Sequence, residues 1–284
     1  MKSEKIRKRD VELVVISDVH LGAFGCHADE LLHYLRSIRP RTLILNGDII
    51  DIWQFRKQYF PKSHLMVLKY FTGLIAKKTK VIYITGNHDE LLRKFTKFEL
   101  GSFKLVNKLV LELDGKKAWF FHGDVFDVTM QYSKWLTKLG STGYDILILL
   151  NTMVNFFLTR LGKEKISFSR KIKNGVKRAV SYINKFEETV AGIAIFQKYA
   201  FVVCGHIHQP SIRKIITNEG EVIYLNSGDW IENLSALEYN HGKWQIYRYQ
   251  DDSVVKIFSE VPEQIETPSH QETFETLLKE LNLA

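Results

Sequence analysis

Cysteine is scarce in this chain of 284 residues, which contains only Cys26 and Cys204. Neither residue belongs to a C-x-x-C pair, so the sequence predicts no disulfide framework and no structural zinc site of the thiolate type. So low a cysteine content is typical of proteins in a reducing, intracellular compartment.

Long apolar runs are missing as well. No hydrophobic stretch approaches the roughly 20 residues that a transmembrane helix requires. The apolar segment near the start of the chain, "VELVVIS", is short and is followed at once by Asp18, so we expect no signal peptide. The chain contains no internal repeat and no low-complexity tract. With 45% hydrophobic and 25% charged residues, its composition is that of a globular protein of one or two domains.

Basic residues outnumber acidic ones, with 40 Lys and Arg against 32 Asp and Glu, which gives a formal net charge of +8. This balance favours anionic partners, namely phosphates, nucleic acid or an acidic membrane surface. The charge alone does not choose among them.

Short buried strands alternate with helical patterns in the first part of the chain, as in βαβ units. Three later stretches predict hairpins because a turn signal separates two apolar runs: "LELDGKKAWFF", "IITNEGEVIYL" and "LEYNHGKWQIY". Together these patterns predict an α/β sandwich rather than a single open sheet. The predicted strands are 11–16, 42–45, 81–85 and 200–204, and the predicted helices are 29–37 and 63–78.

One region departs from this pattern. Between residues 125 and 197 the periodicity is helical and predicts no strand, although the flanking segments "FFHGD" and "FVVCGHIH" have the features of one core. We therefore expect residues 1–124 and 198–260 to form the core and 125–197 to form an inserted helical cap. Residues 261–284 are expected to form a C-terminal tail.

Side chains with metal-binding chemistry follow five separate apolar runs. Because ligands of α/β folds collect at the carboxyl ends of strands, we expect these side chains to converge. Carboxylate, amide and imidazole donors without thiolate suit Mn, Fe or Zn. Seven donors are too many for one tetrahedral ion, whereas a pair of ions sharing one carboxylate, roughly 3.5–4 Å apart, would use them and can clamp a phosphoryl group. The seven donors are Asp18, His20, Asp48, Asn87, His122, His206 and His208.

Each of these motifs is weak when taken alone. An Asp can cap a helix, an Asn can hold a turn, and a His can be a hydrogen-bonded core residue. The ordered set of five motifs is what favours a metal centre. Neighbouring residues extend the prediction: Gly47, Gly86, Gly123 and Gly205 are expected in tight turns, Asp51 and Asp124 are expected to orient imidazoles, and His64, on a helical pattern, is expected at the surface.

In this order the motifs "DVH", "GDIID", "GNHDE", "HGD" and "GHIH" resemble those of the calcineurin-like metallophosphoesterases, over about residues 11–259. The resemblance implies a four-layer α/β/β/α sandwich and two divalent metal ions, with Mn favoured and Fe or Zn as alternatives. It assigns one metal to Asp18, His20 and His208, and the other to Asn87, His122 and His206. Asp48 would bridge the two, and His88 would contact the phosphate or protonate the leaving oxygen.

The predicted cap has an unusual composition. No charged residue occurs between 146 and 159, and the segment 160–185 then contains nine Lys and Arg against one acid, Glu164. An apolar helix beside a basic helix is typical of an element that lies at a membrane interface. It would also suit a substrate with both acyl chains and phosphates. The alternative is a buried cap helix beside a solvated basic face.

The layout is similar to that of the UDP-2,3-diacylglucosamine hydrolases of lipid A synthesis, which have a helical insertion at this point and a Pro-containing turn after the last motif, in this chain "GHIHQP". This resemblance implies cleavage of the pyrophosphate of a lipid-linked nucleotide sugar, UDP-2,3-diacylglucosamine, to UMP and 2,3-diacylglucosamine 1-phosphate. It implies a cytoplasmic protein on the inner face of the cytoplasmic membrane. Phe156 and Phe157 would then receive acyl chains, and Arg170 and Lys171 would contact the substrate or an anionic membrane surface. One departure is His88, where the best-known members carry Arg.

The sequence leaves two other functions open. The first is a phosphodiesterase or nuclease that acts on soluble nucleotides or nucleic acid; no base-stacking module is visible, so nucleic acid is not the expected partner. The second is a binding scaffold without catalysis, against which the complete set of metal-binding side chains argues. The oligomeric state is not predicted.

Overall fold

The computed structural model of the protein describes residues 8–52, 59–127 and 168–252, with side chains in the last range from Val180 onward. The chain divides after Tyr249 into two units, and both sheets belong to the first unit. Among the described residues, no helix combines the length and the apolarity needed to cross a membrane.

A seven-stranded sheet forms the first half of the core. Its strands run in the order β12-β11-β1-β2-β3-β5-β4, and β1, β2, β3 and β5 are mutually parallel. Parallel neighbours require crossover connections, which α1 and α2 provide, so these strands end at one edge of the sheet. The elements are β1 (Arg9–Ile16), α1 (Ala28–Ser37), β2 (Ile38–Asn46), α2 (Lys62–Ala76), β3 (Lys80–Ile84), β4 (Glu99–Leu100), β5 (Phe103–Val106), β11 (Ser235–Asn240) and β12 (Lys243–Arg248).

A five-stranded sheet forms the second half, in the order β6-β7-β8-β10-β9. In this sheet β7, β8 and β10 are parallel, while β6 and β9 pair antiparallel at the two edges. The elements are β6 (Lys108–Leu113), β7 (Lys116–Phe121), α3 (Phe168–Phe196), β8 (Phe201–Cys204), β9 (Ser211–Thr217) and β10 (Gly220–Asn226). Short 3₁₀ helices follow β3 (Glu90–Phe95), β7 (Asp124–Phe126) and β12 (Tyr249–Asp251).

The two sheets pack face to face, with helices on both outer faces. Strand β1 has the period-two pattern of a strand buried on both sides: Leu13 and Val15 point towards the second sheet, and Val14 and Ile16 point towards α1 and α2. On the other outer face, the C-terminal half of α3 packs on β8 and β10 through an apolar stripe. The predicted four-layer α/β/β/α sandwich is therefore confirmed.

The predicted strands, the two predicted helices and the three hairpins all occur, with bounds that shift by a few residues. Strands β4 and β5 were not predicted, because "EL" and "FKLV" are too short to show an alternation of apolar and polar residues. Within the predicted cap, α3 is the described helix. The segment 128–167 and the tail 261–284 lie outside the described residues, so the division into core, cap and tail remains a prediction.

Candidate metal centre

All seven predicted donors lie together at the carboxyl edge of the two sheets. Backbone hydrogen bonds join the loops that carry them: the Asp18 amide donates to the Gly47 carbonyl (3.1 Å), and the His20 amide donates to the Asp48 carbonyl (2.9 Å). The Gly205 amide donates to the His122 carbonyl (2.9 Å), which joins the loops after β7 and β8. The chain therefore holds these side chains in place through its backbone.

The donor atoms form overlapping groups of three, each with its atoms within 4.8 Å of one another. Neighbouring groups share a residue: His20 belongs to two of them, and so does Asp48. The groups are Asp18, His20 and His208; His20, Asp48 and His88; and Asp48, His122 and His206.

Several donor atoms are buried without a hydrogen-bond partner. Asp18 Oδ1 lies 3.2 Å from His208 Nε2, and His122 Nε2 lies 3.2 Å from Asp48 Oδ2. Despite these short distances, Asp18 Oδ1 and His122 Nε2 form no well-aligned hydrogen bond. A buried polar atom without a partner costs about 1–3 kcal/mol. A cation among donor atoms that cluster in this way would give them the missing partner, so the donor set fits divalent metal ions. The buried unpaired donor atoms are Asp18 Oδ1, His20 Nε2, Asn87 Oδ1 and His122 Nε2.

The electrostatics of the site also favour a cation. Burial raises the pKa of Asp18, but the adjacent His208 imidazole more than offsets this, and the pKa lies at about 2. Likewise, burial opposes ionisation of Asp48, yet His122 holds its pKa below the usual range. Burial lowers the pKa of His208, and Asp18 outweighs this and raises it to about 9. The two carboxylates are therefore ionised at neutral pH, and a bound cation would replace the proton on the His208 imidazole.

His88 differs from the other imidazoles of the centre because its side chain is 36% exposed. Its Nδ1 lies 3.3 Å from Asp51 Oδ2, its backbone amide donates to Asp48 Oδ1 (2.8 Å), and its ring stands edge-on to His20 with centroids 4.5 Å apart. Burial lowers the pKa of His88, but the contact with Asp51 and the nearby carboxylates raise it overall. His88 is therefore a partly open imidazole with a raised pKa at the rim of the centre.

The backbone at the centre is strained. Five of the donor residues adopt left-handed conformations, with φ between 51° and 65°, which non-glycine residues rarely do. Such conformations cost on the order of 1–3 kcal/mol each and persist where the surrounding structure enforces them, as at functional sites. The five residues are Asp18, His20, Asp48, His206 and His208.

Glycine is required beside the donors for steric reasons. A Cβ at Gly86 would lie 2.2 Å from Asp48 Oδ1, and one at Gly47 would lie 2.3 Å from His122 Nδ1. At these two positions the missing side chain lets the backbone approach Asp48 and His122 closely, and Gly47 also adopts a positive φ of 83°.

The residues that support the imidazoles were only partly predicted. Asp51 contacts His88 and lies 3.8 Å from His20 Nδ1, as expected, whereas Asp124 pairs with Arg93 (2.6 Å) instead of an imidazole. Sequence reasoning missed Asp127, whose Oδ1 accepts a hydrogen bond from His206 Nε2 (2.9 Å). Asp127 follows "HGD" by three residues, and that proximity is its only signal.

A second supporting carboxylate comes from the loop "NSGDWIENL". Asp229 Oδ2 lies 3.7 Å from His208 Nδ1. The same side chain accepts the backbone amides of Ile231 (2.9 Å) and Asn233 (3.1 Å), so it also closes its own loop. Among the predicted substrate residues, Phe156 and Phe157 lie outside the described part of the chain, and the side chains of Arg170 and Lys171 do as well.

Comparison with known proteins identifies the family of this chain. The model of the calcineurin-like phosphoesterase family matches residues 11–210, which include all seven donors. The chain belongs to the calcineurin-like phosphoesterase family. It is accordingly a metal-dependent phosphoester hydrolase, and its donor set can hold the divalent metal ions that the family uses.

Two proteins similar to this chain over most of its length are both named UDP-2,3-diacylglucosamine hydrolase. UDP-2,3-diacylglucosamine hydrolase of Aliivibrio fischeri (strain MJ11) is 24% identical over 245 residues, which cover 83% of this chain and 98% of the relative. UDP-2,3-diacylglucosamine hydrolase of Blochmanniella pennsylvanica (strain BPEN) is 26% identical over 243 residues, which cover 81% and 92%. Among solved structures, the phosphoesterase Yfce from E. coli is 14% identical with a TM-score of 0.42, and the match covers 85% of this chain and 94% of that one.

Proposed function

We propose that this phosphoesterase uses two divalent metal ions to hydrolyse the pyrophosphate of UDP-2,3-diacylglucosamine, giving UMP and 2,3-diacylglucosamine 1-phosphate. The observation that carries the metal part of this proposal is the set of buried, unpaired donor atoms that face one another across Asp48. The substrate part is supported by the two hydrolases, which are similar to this chain over most of its length and are named for that reaction.

The donors divide into two sets. Asp18, His20 and His208 would hold one ion, and Asn87, His122 and His206 would hold the other. Asp48 would bridge the two, because its carboxylate lies within reach of both sets: its Oδ2 is 4.0 Å from His20 Nε2 and 3.2 Å from His122 Nε2. When bound, two ions of this kind supply positive charge that activates water and neutralises the phosphoryl oxygens. Mn is the favoured metal, and Fe and Zn also suit imidazole and carboxylate donors.

His88 is the proposed catalytic residue of the chain itself. Asp51 lies 3.3 Å from its Nδ1 and raises its pKa, which leaves Nε2 for the substrate. In the proposed reaction, water adds to the uridylyl α-phosphorus and the bond from that phosphorus to the bridging oxygen breaks. His88 would donate a hydrogen bond to the phosphoryl group or a proton to the departing oxygen.

The lipid part of the substrate would be received by the cap. Phe156 and Phe157 lie in the charge-free run 146–159 and would contact acyl chains. Arg170 and Lys171 lie in the basic run that follows and would contact phosphates of the substrate or an anionic membrane. This arrangement would place the protein on the cytoplasmic side of a membrane, as a peripheral protein that takes its substrate from the lipid surface.

The direct test is hydrolysis of UDP-2,3-diacylglucosamine by the purified, Mn-supplemented protein, with a water-soluble nucleotide diester assayed in parallel. We expect UMP and the lipid phosphate as products and a much higher kcat/KM for the lipid substrate. Asp48→Ala should abolish hydrolysis because the bridging carboxylate is lost. Asp10→Ala is the matched control, since Asp10 is an exposed aspartate near the start of β1 whose carboxylate pairs with Arg39 (3.3 Å) at the surface.

The outcomes separate the alternatives. Turnover of the soluble diester alone would contradict the lipid substrate and favour a soluble phosphodiesterase. Full activity of Asp48→Ala would contradict the metal assignment. An absence of hydrolysis with every phosphoester tried, in a protein that binds metal, would favour the scaffold hypothesis.

A further inference from the structure

Asp127 connects the metal centre to helix α3. Its Oδ1 accepts a hydrogen bond from His206 Nε2 (2.9 Å) and another from the hydroxyl of Tyr182, which lies on α3. The three side chains come from separate parts of the chain, since Asp127 directly follows the short helix after β7 and His206 follows β8. A continuous path of hydrogen bonds therefore runs from the helix to a metal-binding imidazole.

The bond to Asp127 decides which nitrogen of His206 can bind a metal. Asp127 Oδ1 lies at hydrogen-bond distance from both His206 Nε2 and the Tyr182 hydroxyl, and a carboxylate oxygen accepts both bonds. With Nε2 donating to Asp127, the nitrogen of His206 left for a metal ion is Nδ1. The His206 amide also donates to Asp18 Oδ2 (3.0 Å), which fixes the backbone from which the ring projects.

Asp127 is itself held from two sides. Phe126, its neighbour in the chain, packs edge-on against Phe186 of α3, with ring centroids 5.7 Å apart. Phe186 is fully buried and lies one helical turn after Tyr182, so both contacts come from the same part of α3. A displacement of this part of the helix would move both the packing partner of Phe126 and the hydrogen-bond donor of Asp127.

We propose that Asp127 and Tyr182 are positioning residues that orient His206 for one of the two metal ions and thereby couple α3 to that ion alone. This inference rests on the proposed division of the donors into two sets. A carboxylate that orients a metal-binding imidazole fixes its tautomer and raises its basicity, and loss of such a partner lowers metal affinity by about 10–100-fold. The Asp127 carboxylate bonds to His206 of the second set, so the first set, Asp18, His20 and His208, should be spared.

The neighbouring residue Asp124 provides a matched control. It lies on the same short helix, three residues before Asp127, and its carboxylate pairs with Arg93 (2.6 Å) rather than with an imidazole. Removing either carboxylate changes the charge near the centre by the same amount. A difference between the two variants therefore reports the contact with His206 and not the lost charge.

The test is a titration of metal-free protein with Mn²⁺ by calorimetry, together with metal content after dialysis. The wild-type protein is expected to bind two ions. Asp127→Ala should bind one ion with unchanged affinity and the other about 10–100-fold more weakly, while Asp124→Ala should match the wild type. Tyr182→Phe, which keeps the ring on α3 and removes only the hydroxyl, should weaken the same ion by a smaller factor.

Each other result overturns a defined part of the proposal. Two unchanged affinities in Asp127→Ala, or equal loss of both ions with a lowered melting temperature, would show that Asp127 does not position one ligand. An unchanged Tyr182→Phe would remove the coupling to α3. Fewer than two ions in the wild-type protein would instead contradict the proposed metal pair, and this inference with it.

Discussion

Gly86 shows how closely single atoms are fitted at the centre. A methyl group at this position would lie 2.2 Å from Asp48 Oδ1 and 2.6 Å from the Asp48 amide nitrogen. Neither neighbour can move without disturbing the Asp48 carboxylate, which we propose bridges the two ions, or the loop that carries it. Gly86→Ala should therefore lower the metal content and abolish most of the activity, as measured by elemental analysis and hydrolysis of the substrate.

Gly73 provides the control for that change. It lies within α2, where an added methyl group would meet nothing within 4 Å. Because alanine favours helix over glycine by about 1 kcal/mol, Gly73→Ala should keep full activity and raise the free energy of unfolding slightly. Equal effects of the two substitutions on metal content would contradict the steric role of Gly86.

His88 separates catalysis from metal binding. As a hydrogen-bond or proton donor to the substrate, it should contribute roughly 10²–10⁴-fold to the rate. We therefore expect His88→Ala to lower kcat by such a factor and to keep both metal ions, as shown by steady-state kinetics and metal analysis of the same sample.

Loss of an ion in His88→Ala would make this residue a ligand, in line with its place in the group with His20 and Asp48. His88→Arg is the more specific variant, because it introduces the side chain that the best-known lipid hydrolases carry. Activity retained with Arg and lost with Ala would support a cationic contact with the phosphoryl group.

At the scale of elements, α3 contributes to the core of the protein. Its C-terminal half is a core element, since Phe186, Val190 and Ala194 are fully buried against the second sheet. Phe186→Ala should lower the free energy of unfolding by about 3–5 kcal/mol, the usual range for a buried phenylalanine. Denaturant unfolding should detect this change, whereas Phe196→Ala, at a side chain that is 78% exposed, should be close to neutral.

Sequence patterns predicted the longer strands and helices, and they missed strands that are too short to show a repeating pattern of apolar residues. Strand β1 and helix α1 show clear periodicities because each buries a regular face, whereas β4 and β5 are too short to repeat one. His64 was expected at the surface and is instead 2% exposed, with Nδ1 accepting the Gly22 amide (2.9 Å). That contact depends on a loop 42 residues away, which no local pattern on α2 could indicate.

The candidate metal centre could be predicted in part. That its seven candidate donors lie together could be inferred, because each follows a strand and the fold brings the strand ends together. Asp127 could not be, because it contacts His206 from a segment whose path depends on tertiary packing. Asp124, the closer residue in sequence, was predicted in place of Asp127 and is paired with Arg93 instead.

At the scale of the whole molecule, the net charge of +8 and the basic run in the cap predict attraction to anionic membranes. Each lysine near the surface should contribute about 1 kcal/mol, weakening as salt rises. Replacing Lys171, Lys173 and Lys177 with Gln should therefore reduce binding to anionic vesicles in a sedimentation assay and leave metal content unchanged.

The control is a triple replacement with the same loss of charge at Lys77, Lys78 and Lys80, which are exposed beside the start of β3, at the sheet edge opposite the metal centre. If both triple variants lose vesicle binding equally, the attraction comes from net charge and not from the cap. Unchanged binding in the cap variant would remove the support for a membrane-facing cap.

The central claim is that seven side chains hold two metal ions that share Asp48. It is tested most directly by anomalous scattering from crystals of the protein grown with Mn²⁺. We predict two peaks about 3.5–4 Å apart, one beside Asp18, His20 and His208 and one beside Asn87, His122 and His206. A single peak, or two peaks that do not share Asp48, would contradict the claim.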